Sequence, residues 1–115
     1  MHSLIVRLCR DVVVGILVFA SVVGAEDAPP PVTVSIKDFA FAPAMVKIKT
    51  GQPIIWINSD DEPHTIAAND KAYRSPTLDT GESFTRTFAT AGEFAYFCTL
   101  HPHMIGKIVV ENAAP

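Results

Sequence analysis

Past a proline-rich start, the chain breaks into short apolar or alternating stretches rich in β-branched and aromatic residues, with turn-forming positions between them. This pattern predicts strands over residues 32–37, 45–49, 54–58, 64–68, 82–88, 93–98 and 107–111. No stretch beyond residue 25 carries helical periodicity. Gly51, Gly81 and Gly92 stand where a strand must end and the chain reverse, and glycine permits the positive φ that such turns need. Short strands punctuated in this way predict an all-β sandwich. Phe94, Tyr96 and Cys98 share one strand face, which points the thiol inward with core aromatics. Ile108 and Val110 face inward on the last strand, and Trp56 fills the core. Two segments fit less well. Phe84, Arg86 and Phe88 share a face, which requires either a bulge or an Arg86 at the sheet margin with its head in solvent. Residues 69–79 form a polar connection that the pattern does not place.

The first 25 residues change the picture. Arg7 and Arg10 precede an apolar run from Val12 to Ala20, and Val23-Gly24-Ala25 puts small residues at the positions of a secretory cleavage site. The expected organisation is a signal peptide over residues 1–25 and a single folded domain over residues 26–115, delivered to the periplasm. The apolar run falls short of the roughly 20 residues that span a bilayer, so no membrane span is expected in the mature form. Loss of residues 1–25 removes Cys9 and leaves Cys98 as the only cysteine, so no internal disulfide can form. An unpaired thiol in an oxidising compartment needs burial or a metal. Of nine basic and twelve acidic residues, residues 1–25 hold two and one, leaving seven against eleven and a net charge of −4. Such a balance disfavours a nucleic-acid partner.

Taken singly, a lone Cys reads as a small buried hydrophobe, a lone Met as a gap filler and a lone His as a surface or satisfied core residue. Together they read differently. Cys98, His101 and Met104 fall at every third residue, so one tight loop can turn all three toward a common centre, and His64 arrives from another strand end. One thiolate, two imidazoles and one thioether suit a copper ion that cycles between Cu(I) and Cu(II): soft sulfur favours the reduced ion and imidazole accepts both. The candidate metal ligands are therefore His64, Cys98, His101 and Met104, around one type 1 copper per chain.

These residues resemble the cupredoxins, the small blue copper proteins, and among them the amicyanin/plastocyanin-like members. The likeness runs through Lys49-Thr50-Gly51, Trp56-Ile57-Asn58, Pro63-His64, Tyr96-Phe97-Cys98, His101-Pro102 and Met104-Ile105-Gly106-Lys107. It implies a Greek-key β-sandwich with copper near one end, Met104 as axial ligand, and electrons passing through His101 within an apolar patch that includes Leu100 and Pro102. It also implies redox-protein partners, an amine dehydrogenase-like donor and a c-type cytochrome, met by a monomer. Two positions depart from the pattern. Thr65 stands where many relatives carry an Asn that ties the copper loops together, and His103 replaces an aromatic; His103 is expected to be exposed and not a ligand. The acidic run Asp60-Asp61-Glu62 reads as a solvated turn or as a steering surface for a basic partner.

The leading expectation is a periplasmic electron-transfer protein, not an enzyme. The alternative is a periplasmic copper carrier or storage protein, which would favour several exposed Met or Cys ligands; past residue 25 the chain has only Cys98, Met45 and Met104. A copper enzyme would need a second metal site, and His64, His101 and His103 are too few to build one when two are already committed.

Overall fold

The computed structural model describes residues 29–114, together with Gly15, so the expected signal segment lies outside the described residues. Eight strands follow one another: β1 (Val32–Lys37), β2 (Ala40–Ala42), β3 (Met45–Lys49), β4 (Pro53–Asn58), β5 (Ala67–Ala68), β6 (Ser83–Thr87), β7 (Gly92–Phe97) and β8 (Ile105–Glu111). They form two four-stranded sheets, ordered β2-β1-β4-β6 and β3-β8-β7-β5. In each, one parallel pair, β1 with β4 and β3 with β8, sits among antiparallel neighbours, so the chain crosses between sheets in Greek-key fashion. No helix among the described residues is long and apolar enough to cross a membrane.

The alternating residues meet between the sheets. Val34, Ile36, Ile54 and Trp56 join Val46, Ile48, Tyr96, Ile108 and Val110 in one hydrophobic core between the sheets. Trp56 is fully buried, with its ring edge-to-face against Tyr96 at 5.5 Å, and Tyr96 in turn meets Phe41 at 4.7 Å. Gly51 and Gly81 both adopt φ of 85°, as the reversals at those points require.

The predicted strands differ from the observed ones in three ways. β2 is absent from the sequence reading because its three residues are too short to show a period. The strand predicted over residues 64–68 survives only as Ala67–Ala68, since His64 and Ile66 pair instead with the irregular segment that follows. Arg86 is neither in a bulge nor free in solvent: the β4–β6 register is continuous from Pro53↔Thr87 to Ile57↔Ser83. Its guanidinium lies 4.3 Å from the centre of the Tyr73 ring, a cation–π contact that explains a charged residue on an aromatic face.

Candidate metal centre

The site is assembled from two segments at one end of the sandwich. Cys98 stands just past β7 and Met104 just before β8, and the loop between them is closed by its own backbone. Cys98 N–H donates to Met104 O at 3.1 Å, His101 N–H to Cys98 O at 3.3 Å and Met104 N–H to His101 O at 2.9 Å. The three-residue spacing thus appears as one tight turn hung between two paired strands. His64 comes from the connection after β4 and is clamped by the segment over residues 69–79. His64 N–H donates to Leu78 O at 3.1 Å and Leu78 N–H returns to His64 O at 2.8 Å. Two residues on, Ile66 N–H donates to the Ser75 hydroxyl at 2.9 Å, and Ser75 N–H to Ile66 O at 2.8 Å. The polar connection is therefore a fixed strap, with Ser75 and Leu78 buried.

Three candidate donor atoms converge. Cys98 Sγ lies 3.7 Å from His64 Nδ1 and 3.7 Å from His101 Nδ1, and the ligand atoms of the three residues all fall within 4.8 Å of one another. Cys98 and His64 are fully buried, His101 is half-buried, and Met104 is buried in the adjoining core. His103 is exposed and outside the cluster, as expected.

The environment prepares the thiol for a metal. Burial alone would raise the Cys98 pKa, but the Thr65 backbone N–H, both histidines and the Leu100 backbone N–H outweigh it and bring the thiol down to about 6. The thiolate is the species that binds metal, and it predominates here at neutral pH. The Thr65 N–H reaches Cys98 Sγ at 3.4 Å. The Thr65 hydroxyl accepts the Thr99 N–H at 2.8 Å and pairs with the Thr99 hydroxyl at 2.8 Å. Thr65 therefore ties the His64 and Cys98 segments together through its side chain.

Residues 11–110 match the family described as Cupredoxin-like domain. The chain belongs to the cupredoxin family. It is 35% identical to the amicyanin of Paracoccus versutus over 95 residues, which covers 77% of this chain and 72% of that protein. A solved structure of a reduced amicyanin variant superposes with a TM-score of 0.68 at 30% identity, covering 76% of this chain and 88% of that one. The copper-containing nitrite reductase of Thermus scotoductus superposes with a TM-score of 0.69 at 30% identity, over 75% of this chain and 23% of the enzyme. The cofactor of this cupredoxin is copper in a type 1 site, and the donor set fits that ion: a thiol of lowered pKa and two imidazole nitrogens converge, and the thioether of Met104, three residues past His101 in the same loop, is buried.

Two residues near the cluster went unrecognised in the sequence. Asp60 is 7% exposed, so it belongs neither to a solvated turn nor to a steering surface, whereas Asp61 and Glu62 are exposed. Its Oδ2 lies 2.8 Å from His64 Nε2. Burial works to raise the Asp60 pKa, but the N–H groups of Phe39 and Asp38 and the His64 ring outweigh it and hold the carboxyl below its usual value. Phe39 stands edge-to-face with both histidines, at 5.5 Å from His64 and 5.0 Å from His101, while remaining 45% exposed. Its only sequence signal is an aromatic in a turn, where nothing in the strand pattern requires one.

Proposed function

We propose that this cupredoxin is an exported, periplasmic electron-transfer protein that carries single electrons between larger redox proteins. In this reading residues 1–25 are a cleaved signal peptide and residues 26–115 the mature copper domain. His64, Cys98, His101 and Met104 would hold the metal, the first three through the Nδ1, Sγ and Nδ1 atoms that converge. The observation that supports it best is the convergence of these donors on a site fixed by the surrounding backbone. Bound copper supplies a one-electron Cu(II)/Cu(I) couple. The chain's own part is to hold the ligands so that little moves when the charge changes. Pro102 stiffens the loop, the N–H groups at Cys98 drain charge from its sulfur, and half-buried His101 offers an edge to the surface. Exposed Leu100 and Phe39 give that edge an apolar surround for a partner to meet. Resemblance to the amicyanins points to an amine dehydrogenase-like donor and a c-type cytochrome acceptor.

Burial argues against the carrier alternative. Cys98, His64 and Met104 are all 2% exposed or less, so handing copper over would require the loop to open. Met45, the other methionine past residue 25, lies on β3, 54% exposed and outside the site.

The test is the visible spectrum of the mature domain with one equivalent of Cu(II), followed by reduction and reoxidation. An intense blue band that bleaches and returns, and is lost in Cys98→Ala, is the expected result. A colourless copper complex, or a Cys98→Ala variant that stays blue, would overturn the ligand assignment.

A further inference from the structure

We propose that Asp60 is the positioning residue of the copper site: its one buried carboxylate sets the donor face of His64, biases bound copper toward Cu(II), and fixes the turn that seats Phe39 against both histidine rings. The inference rests on the ligand assignment of His64 given above.

A neutral imidazole carries its proton on one nitrogen, and only the other has a lone pair for a metal. His64 is fully buried, so water cannot set that choice. An ionised carboxylate is an acceptor only, and Asp60 Oδ2 stands 2.8 Å from His64 Nε2. The proton is therefore held on Nε2, which leaves the lone pair on Nδ1, the atom that faces Cys98 Sγ at 3.7 Å. A hydrogen-bonded anion behind the ring also makes Nδ1 a stronger donor. Among the described residues no lysine or arginine forms an ion pair with Asp60, so its charge acts on the site uncompensated except through His64. Negative charge near the metal favours the more highly charged ion.

The carboxylate is itself held from several directions. Its Oδ1 accepts the Asp38 N–H at 2.6 Å and its Oδ2 the Phe39 N–H at 3.0 Å. Its own backbone N–H donates to the side chain of fully buried Asn58 at 2.9 Å. Asp38 and Phe39 both have positive φ, 53° and 58°, which is uncommon for a non-glycine residue and an outlier for one as bulky as Phe. Such backbone persists where surrounding contacts over-determine it. Here the two successive N–H groups close on one carboxylate, and the same turn brings Phe39 edge-to-face with His64 and His101. A purely structural role would account for the bonds to Asp38 and Phe39. It would not account for the bond to His64.

Asp60→Asn in the copper-loaded mature protein separates these roles, because it keeps size and one acceptor while removing the charge. The expected result is a retained type 1 spectrum with a raised reduction potential. The Cu(II)/Cu(I) equilibrium should shift about tenfold or more, which for one electron is about 59 mV. Affinity for Cu(II) should fall about 10- to 100-fold. Asp38→Gly, which relaxes the same turn without touching the carboxylate, should leave the potential unchanged. An Asp60→Asn protein that melts lower but keeps its potential would reduce Asp60 to a structural residue and overturn the proposal. So would an equal rise in Asp38→Gly. The wild-type Cu(I) protein gives a check that needs no variant: nitrogen-15 NMR should show a His64 Nε2–H that exchanges with water more slowly than the corresponding proton of His101, and its absence would overturn the proposal even if Asp60→Asn does not fold. Failure of the ligand assignment would look different, as a wild-type protein with no blue band on adding Cu(II).

Discussion

Removing the Thr65 hydroxyl tests how the two halves of the site are held together. In Thr65→Val the backbone N–H that points at Cys98 Sγ survives, while the side chain loses its oxygen. The Thr99 N–H then has no protein acceptor, and a donor left unpaired at this part-buried position costs up to about 1–3 kcal/mol, the value for a fully buried one. The bond between the Thr65 and Thr99 hydroxyls is lost as well, worth about 0.5–1.5 kcal/mol, although Thr99 can still turn to the Arg74 guanidinium at 3.4 Å. Because Thr65 is only 1% exposed, water cannot enter cheaply as a substitute. The expected loss is about 2 kcal/mol, read as a urea midpoint lowered by about 1 M for a domain of this size. Apo and copper-loaded forms should both show it. Thr65→Asn, which restores a side-chain acceptor of the kind that related proteins carry there, should recover most of it. A Thr65→Val loss below about 0.5 kcal/mol would refute the argument, because it would mean that the hydroxyl bridge is not what couples the loops.

Gly106→Ala should destabilise the domain by about 1–3 kcal/mol in the same urea assay, because a Cβ there would collide with the ring of buried Tyr96; an unchanged midpoint would mean that Tyr96 can move aside despite its contacts with Trp56 and Phe41. The apoprotein should grow more stable as pH rises. Its folded Cys98 pKa, lowered to about 6 from 9.0, means that the unfolded chain binds more protons between those values, so the contribution is full above about pH 9 and lost as pH falls through 6. Roughly 1–3 kcal/mol should separate the two ends of that window and disappear in Cys98→Ala, and a profile unaffected by that substitution would contradict the lowered pKa.

The residues that identify the family were legible because chemistry and spacing coincide in them. Cys98, His101 and Met104 share one loop, and a regular period-2 strand delivers Cys98 to the inner face. The sandwich was legible for a similar reason: β1, β3 and β7 alternate clearly, and Gly51 and Gly81 mark real reversals. What stayed hidden depends on contacts between distant segments. The strap over residues 69–79 has no period, since it pairs with His64 and Ala67 through two isolated bridges and with Ile66 through Ser75. Asp60 looks like its neighbours Asp61 and Glu62 in sequence, and its contacts with His64 and with the N–H groups of Asp38 and Phe39, 22 and 21 residues upstream, distinguish it. Phe39 is hidden for the same reason, because its partners are the two histidines and not a strand neighbour.

That division bears on how the site works. The donor atoms lie where sequence spacing can bring them, but their geometry is set by groups that donate nothing to a metal: the Thr65 hydroxyl, the Asp60 carboxylate, the Leu78 backbone and the closed turn from Cys98 to Met104. The Thr65 hydroxyl joins the two ligand segments to each other, while Asp60 and Leu78 tie His64 to the turn after β1 and to the strap over residues 69–79. A change of charge at the centre therefore meets resistance from several elements at once, whereas a site held by its loop alone would relax along that loop. Electron transfer needs this resistance, because every ligand displacement adds to the barrier. Copper delivery needs the opposite, a loop that opens independently of the sheets. The number of separate anchors is thus a stronger argument for an electron carrier than the identity of the ligands, which both functions would share.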